Sequence, residues 1–250
     1  MTPFQMPKSG LLVVLSDVHV GSSEHDADRF DETLRWCKEN DAAIYLAGDL
    51  LENAIASGKS PGEKLLEQAT NPNEQVREFV AKLKPFARKG RIAGSVRGNH
   101  EARSRREAMI DLCEIIAEML EVPYHRIGGY VRFAFGGHVY VGGIHHGRST
   151  AKNIWLELDR MLSLYPQADF VAAGHNHHLD ARTVQHVGVA KTGAECVEQK
   201  WQVRTGTYLR WAEYARELTL PPSPVGSPVF RFGAKARSIN VDVRTLRWLE

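Results

Sequence analysis

The stretch Leu11-Leu12-Val13-Val14-Leu15-Ser16-Asp17-Val18-His19 decides how this chain is read. Its first five residues are all branched and apolar, too many in a row for a strand with one wet face. They predict a short strand buried on both sides, as in the sheet of an α/β protein. An acid and an imidazole two residues apart follow where that strand should end. Ligand-binding groups in such folds gather there, because the loops leaving the strand ends converge on one crevice.

Outward from this stretch the pattern repeats. Residues 42–46 predict a second buried strand, followed by Gly48-Asp49. Residues 91–96 predict a third, followed by Gly98-Asn99-His100-Glu101. Residues 131–135 and 138–141, joined by Gly136-Gly137, have the signature of a hairpin, and His145-His146-Gly147 comes next. Residues 170–173 predict a further strand, followed by Gly174-His175-Asn176-His177-His178.

Helical periodicity fills the intervals. Residues 26–40 carry Phe30, Leu34 and Cys37 on one stripe, a second helix ends near Pro85, and 103–121 and 151–164 are helical throughout. Residues 53–73, rich in Ser, Gly, Pro and Asn, predict an irregular insertion that rims the substrate pocket or simply connects. The part from 183 to 250 reads as largely β, with a Pro-rich loop at 221–228 and a last strand near 238–243. No repeat or linker divides the chain, so 1–250 reads as one domain. Strand-helix-strand units early and strands late predict an α/β (α+β) fold with two sheets rather than one parallel sheet.

Composition narrows the function classes. The chain has 250 residues, 43% hydrophobic and 25% charged, enough for one sizeable globular core. A net charge of +2 gives no bulk attraction for polyanions, so a phosphate-binding surface must come from local clustering. Cys37, Cys113 and Cys196 lie far apart without a CxxC motif, which argues against a disulfide framework or a thiolate zinc site and fits a reducing compartment. The first apolar run is too short for a signal peptide or a membrane span. The expectation is a cytoplasmic protein with no membrane partner.

Taken singly, each polar punctuation has an ordinary explanation: Asp-x-His is common, and Gly-Asp after an apolar run is usually a turn. Five of them at strand ends call for one explanation. Carboxylate, imidazole and amide oxygen without thiolate suit divalent ions such as Mn²⁺, Fe²⁺ or Zn²⁺. Two ions about 3.5–4 Å apart need a bridging carboxylate, and such a pair can activate water and clamp a phosphoryl group.

Asp17-x-His19, Gly48-Asp49, Gly98-Asn99-His100-Glu101, His146-Gly147 and Gly174-His175-x-His177 resemble, in order, the motifs of the calcineurin-like metallophosphoesterases. The resemblance spans residues 11–178 and is nearest to the small versions found in phage and prophage genomes. It implies a four-layer sandwich, two facing mixed sheets flanked by helices. It also implies two divalent ions, Mn²⁺ foremost, with Fe²⁺, Zn²⁺ or Mg²⁺ as alternatives. One ion would be held by Asp17, His19, Asp49 and His177. The other would be held by Asp49, Asn99, His146 and His175, with Asp49 bridging. His146 is chosen over His145 because it directly precedes Gly147. His100 would be the non-ligand imidazole that protonates the leaving group, while a metal-bridging hydroxide attacks phosphorus. Glu52 stands where many relatives have Asp or Asn and is placed outside the ligand set. The Asp-Arg-Gly extension of Ser/Thr protein phosphatases is missing, which lowers that reading.

Residues 82–106 hold nine Lys or Arg and one acid, Glu101. This run is either a solvated helix face or a surface for a phosphate backbone. Arg103, Arg105, Arg106 and Arg148 are the substrate-binding candidates, with Lys152 beside them. Trp201, Tyr208, Trp211 and Tyr214 read as packing residues rather than base-stacking platforms. The expected partner is a phosphate ester, with DNA, RNA or a nucleotide diester ahead of a monoester, since an alkoxide leaving group benefits from a proton donor. The oligomeric state is open, a homodimer included.

Overall fold

The structure, a computed structural model, describes residues 2–55, 68–148, 153–189, 192–211 and 222–243. In chain order the strands are β1 (Phe4–Gln5), β2 (Leu11–Leu15), β3 (Ala43–Leu46), β4 (Ile92–Val96), β5 (Tyr124–His125), β6 (Gly129–Phe135), β7 (His138–His145), β8 (Phe170–Ala173), β9 (Leu179–Val189), β10 (Glu195–Thr205), β11 (Val229–Phe232) and β12 (Ile239–Asp242). The helices are α1 (Ala27–Glu39), α2 (Pro72–Ala87), α3 (Glu101–Ala108), α4 (Leu112–Leu120) and α5 (Leu156–Leu164).

The strands form two six-stranded sheets. One runs β12-β11-β2-β3-β4-β5, the other β1-β6-β7-β8-β10-β9. In the first, β2 to β5 are parallel while β11 and β12 are antiparallel. In the second, β7, β8 and β10 are parallel, flanked by the antiparallel partners β6 and β9. Both sheets are therefore mixed.

The alternation of side chains along β2 explains why all five of its residues are apolar. Leu12 and Val14 point between the sheets, where they meet Phe133, Tyr140, Phe170 and Val203 of the opposite sheet. Leu11, Val13 and Leu15 point outward into a second cluster with Phe30, Leu34 and Cys37 of α1, Phe79 and Leu83 of α2, and Ile116 of α4. Leu158, Met161 and Leu162 of α5 cover the outer face of the other sheet over Val171 and Ala173. The order helix, sheet, sheet, helix is the four-layer sandwich. The β6–β7 hairpin closes on Gly136 (φ 56°) and Gly137 (φ 79°), the left-handed pair that a two-residue turn of this kind requires.

Three expectations need correction. Residues 103–121 are two helices, not one. Met109 turns left-handed (φ 59°) and ends α3, and Asp111 caps α4 by accepting from the Glu114 N–H. Asp111 also receives Arg97 and Tyr124, so tertiary bonds override the helical period there. Second, α2 begins inside the stretch read as irregular. Asn71 and Glu74 make a capping box and Pro72 opens the first turn, and the helix runs through Pro85 to Ala87. Third, α5 starts at Leu156, with residues 153–155 in a turn. Within the predicted insertion, 56–67 lie outside the described residues, as do Lys152 and Tyr214.

Candidate metal centre

Parallel strands in both sheets point their carboxyl ends the same way, and the loops leaving β2, β3, β4, β7 and β8 meet above them. The backbone there is unusual. Asp17, His19, Asp49, His175 and His177 all sit at positive φ, between 48° and 72°. Left-handed conformations are costly for residues with a Cβ and persist where the surroundings enforce them. Here neighbouring strand-end loops enforce them: Asp17 N–H donates to the Gly48 carbonyl, and the N–H groups of Val18 and His19 donate to the Asp49 carbonyl.

The side chains converge in two groups that share no residue. Ligand atoms of Asp17, His19 and His177 lie within 4.8 Å of one another, as do those of Asp49, His146 and His175. His177 Nε2 is 3.4 Å from Asp17 Oδ1, and His146 Nε2 is 3.2 Å from Asp49 Oδ2 and 2.9 Å from Asn99 Oδ1. Asp49 Oδ2 is also 4.0 Å from His19 Nε2, so this carboxylate stands between the groups. Of the adjacent histidines, His146 faces the cluster while His145 bonds to the Tyr165 hydroxyl.

A third grouping contains His19, Asp49 and His100. The His100 ring is gripped at both nitrogens: Nδ1 donates to the Glu52 carbonyl at 2.8 Å, and Arg103 Nη2 donates to Nε2 at 2.8 Å. A guanidinium on that nitrogen opposes a metal cation there. Burial, above all, pushes His100 down to about 3, despite the carboxylates of Asp49 and Glu52.

Three observations bear on whether these residues suit metal ions. His19 Nε2 is buried with no hydrogen-bond partner among the described residues, while its Nδ1 pairs with Glu52 Oε2 at 3.1 Å. A carboxylate behind an imidazole whose other nitrogen is open is how proteins orient a metal-binding histidine. The donors are carboxylate, imidazole and amide, all suited to divalent ions. Finally, burial alone would raise Asp17 and Asp49, but the surrounding imidazoles outweigh it. Asp17 is held below, and Asp49 well below, the usual carboxylate range. Burial would likewise lower His146, yet Asp49 and Asp17 push it up to about 10. Ionised carboxylates set among imidazoles form a donor set that divalent cations can share. The residues fit.

Several supports were not visible in the sequence. Glu101, fully buried, accepts the N–H groups of Leu50 at 2.7 Å and Leu51 at 2.9 Å with one oxygen and that of Gly98 at 3.2 Å with the other. It ties the Asp49 loop to the Asn99 loop. These loops approach so closely that a Cβ on Gly98 would stand 2.0 Å from the Asp49 nitrogen. Ser16, bonded to Thr205, donates to Asp17 Oδ2 at 2.5 Å.

The arginine candidates divide. Arg103 is at the site, bonded to His100 and the Glu52 carbonyl. Arg105 leans toward Asp111 at 4.0 Å, and Arg106 and Arg148 are exposed. Tyr208 is buried, and the Trp201 indole donates to the Ile239 carbonyl, so both pack.

The family model described as calcineurin-like phosphoesterase matches residues 11–179. Among solved structures the chain is similar to the hypothetical protein PH1004 from Pyrococcus horikoshii OT3, at 10% identity over 93% of this chain and 87% of that one, TM-score 0.49. It is similar to a metallophosphoesterase from Sphaerobacter thermophilus, at 15% identity over 92% and 86%, TM-score 0.39. It is also similar to Vps29 from Entamoeba histolytica complexed with zinc, at 12% identity over 93% and 97%, TM-score 0.41. No curated protein sequence matches.

Proposed function

The chain belongs to the calcineurin-like phosphoesterase family, hydrolases of phosphoric esters that use divalent metals, and from that premise we propose that it is a phosphodiesterase acting on nucleic-acid or nucleotide diesters. The observation that carries the reading is the arrangement about Asp49, whose carboxylate stands between two donor groups beside the open, buried Nε2 of His19. Asp17, His19, Asp49 and His177 would hold one ion, and Asp49, Asn99, His146 and His175 the other. Bound there, divalent ions supply Lewis acidity toward the phosphoryl group and lower the pKa of water. The nitrogen–oxygen donor set suits Mn²⁺, Fe²⁺ or Zn²⁺, and we take Mn²⁺ first on the family resemblance.

The chain's own residues supply the rest. The Glu52 carbonyl fixes His100 through Nδ1 and leaves Nε2 toward the site. Arg103 now donates to that Nε2. A phosphoryl oxygen is a better partner for a guanidinium than an imidazole nitrogen. As it stands His100 is a neutral imidazole, protonated at Nδ1. When Arg103 turns to substrate, Nε2 is released, and on taking up a proton from solvent it can pass on the proton that a departing alkoxide needs. That need is greatest for a diester with a poor leaving group.

No described helix is long and apolar enough to cross a membrane. The free thiols of Cys37, Cys113 and Cys196 suit a reducing compartment, and we place the enzyme in the cytoplasm. The test is hydrolysis of bis-p-nitrophenyl phosphate, p-nitrophenyl phosphate, single- and double-stranded DNA and cyclic nucleotides, each with Mn²⁺, Mg²⁺, Zn²⁺ and Fe²⁺. Diester cleavage strongest with Mn²⁺ is expected. Turnover of the monoester alone would overturn the diesterase reading.

A further inference from the structure

Arg204, near the end of β10, is fully buried. Its Nη1 donates to Glu157 Oε2 at 2.9 Å and reaches the Gly174 carbonyl at 3.4 Å, and its Nε donates to the Ile154 carbonyl at 2.8 Å. The other oxygen of Glu157 accepts the Arg148 N–H at 2.8 Å. One end of this ion pair thus fastens the chain just after His146-Gly147. The other end fastens it just before His175. The two loops leave different strands, β7 and β8, and bring the His146 and His175 rings to a centroid distance of 5.4 Å.

A buried ion pair is weak evidence of stabilisation, since a well-packed apolar pair can replace it at little cost. What an apolar pair cannot supply is a fixed set of hydrogen bonds to backbone groups of two separate loops. The Asp17, His19 and His177 group shares the loop after Gly174 through His177 and the His175 N–H bond to Asp17. It has two further supports that the other group lacks, Glu52 on His19 and Ser16 on Asp17. We infer that Glu157 and Arg204 are positioning residues for the metal site of Asp49, Asn99, His146 and His175, setting the separation of two of its ligand loops; this rests on the two-ion reading above.

The test is Mn²⁺ binding to the metal-stripped full chain, followed by calorimetry and electron paramagnetic resonance. The wild type is compared with Glu157→Gln and with the paired change Glu157→Met/Arg204→Met, which removes both charges together. The wild type should take two equivalents. Both variants should keep one near its original affinity and weaken the other about tenfold or more, the usual scale for an outer support of a metal site. The spectrum of a coupled pair should give way to that of isolated Mn²⁺. A wild type that takes fewer than two equivalents removes the two-ion reading itself. A two-equivalent wild type with variants of unchanged affinity overturns the positioning role. Equal weakening of both sites, or failure of both variants to fold, assigns the pair to the fold as a whole and also overturns it.

Discussion

At the scale of single residues, the site is a set of imidazoles and carboxylates whose behaviour is set by what stands behind them. Glu52 is the clearest case. Burial works against its charge, but the bond to His19 and the nearby His100 and Arg103 bring its carboxyl down to about 2. It is therefore a permanent anion behind His19 at ordinary pH, raising that imidazole's basicity as a ligand. Glu52→Gln keeps an oxygen for His19 Nδ1 and removes the charge. It should weaken binding of one metal equivalent by about 10- to 100-fold, measured by calorimetric titration. Unchanged affinity would make Glu52 a packing residue. The residues that meet at the site were legible in sequence because each closes a strand that also announces itself. Their supports were not. Glu101, Glu157 and Arg204 are charged residues that would ordinarily be placed on the surface, and only tertiary contact reveals that each is consumed by backbone groups or a buried partner far along the chain.

Elements were legible where one physical signal ruled them. β2, β3 and β8 are apolar on both faces because both faces are covered, and nothing competes with that pattern. The α3–α4 junction is hidden in the sequence because the helical period runs on through a break made by long-range bonds. Asp111 is nine-tenths buried, accepts Arg97 and Tyr124 at 2.7 Å each, and caps α4. The break matters for function, since it sets where α3 ends after leaving His100. Asp111→Ala removes a cap and strands Arg97, which is itself largely buried. The expected loss is about 3 kcal/mol in urea unfolding, between the cost of a missing cap and that of a broken buried pair. Asp111→Asn, which can still cap, should recover part of it. A loss below about 1 kcal/mol for the alanine variant would mean that packing, not this carboxylate, holds the junction.

Across the whole molecule, the parallel strands give the protein two poles, and the basic run of residues 82–106 is shared between them. Strand β4 separates Arg91, at its amino end, from Arg97 and the metal centre beyond its carboxyl end, a span of roughly 20 Å at strand rise. Arg91 and Lys82 are occupied by Asp41 and Asp31, and Lys84, Arg88 and Lys89 are exposed around the end of α2, on the side away from the site. On the metal side stand Arg97, paired with Asp111, and Arg103, Arg105 and Arg106 along α3. A linear sequence cannot express this division, because nine charges within one stretch look like one surface. If the substrate is a nucleic acid, the two halves must therefore differ. Reversing the far half with Lys84→Glu/Arg88→Glu/Lys89→Glu should leave DNA affinity and its salt dependence unchanged. Reversing the near half with Arg105→Glu/Arg106→Glu should weaken binding and flatten the logarithmic salt slope by about one for each phosphate no longer neutralised. Fluorescence anisotropy over a series of salt concentrations reads both quantities. Equal effects from the two halves would mean that the polymer wraps the molecule rather than crossing one pole. If neither half matters while diester hydrolysis persists, the substrate is too small to reach beyond Arg103, and a nucleotide rather than a nucleic acid occupies the site.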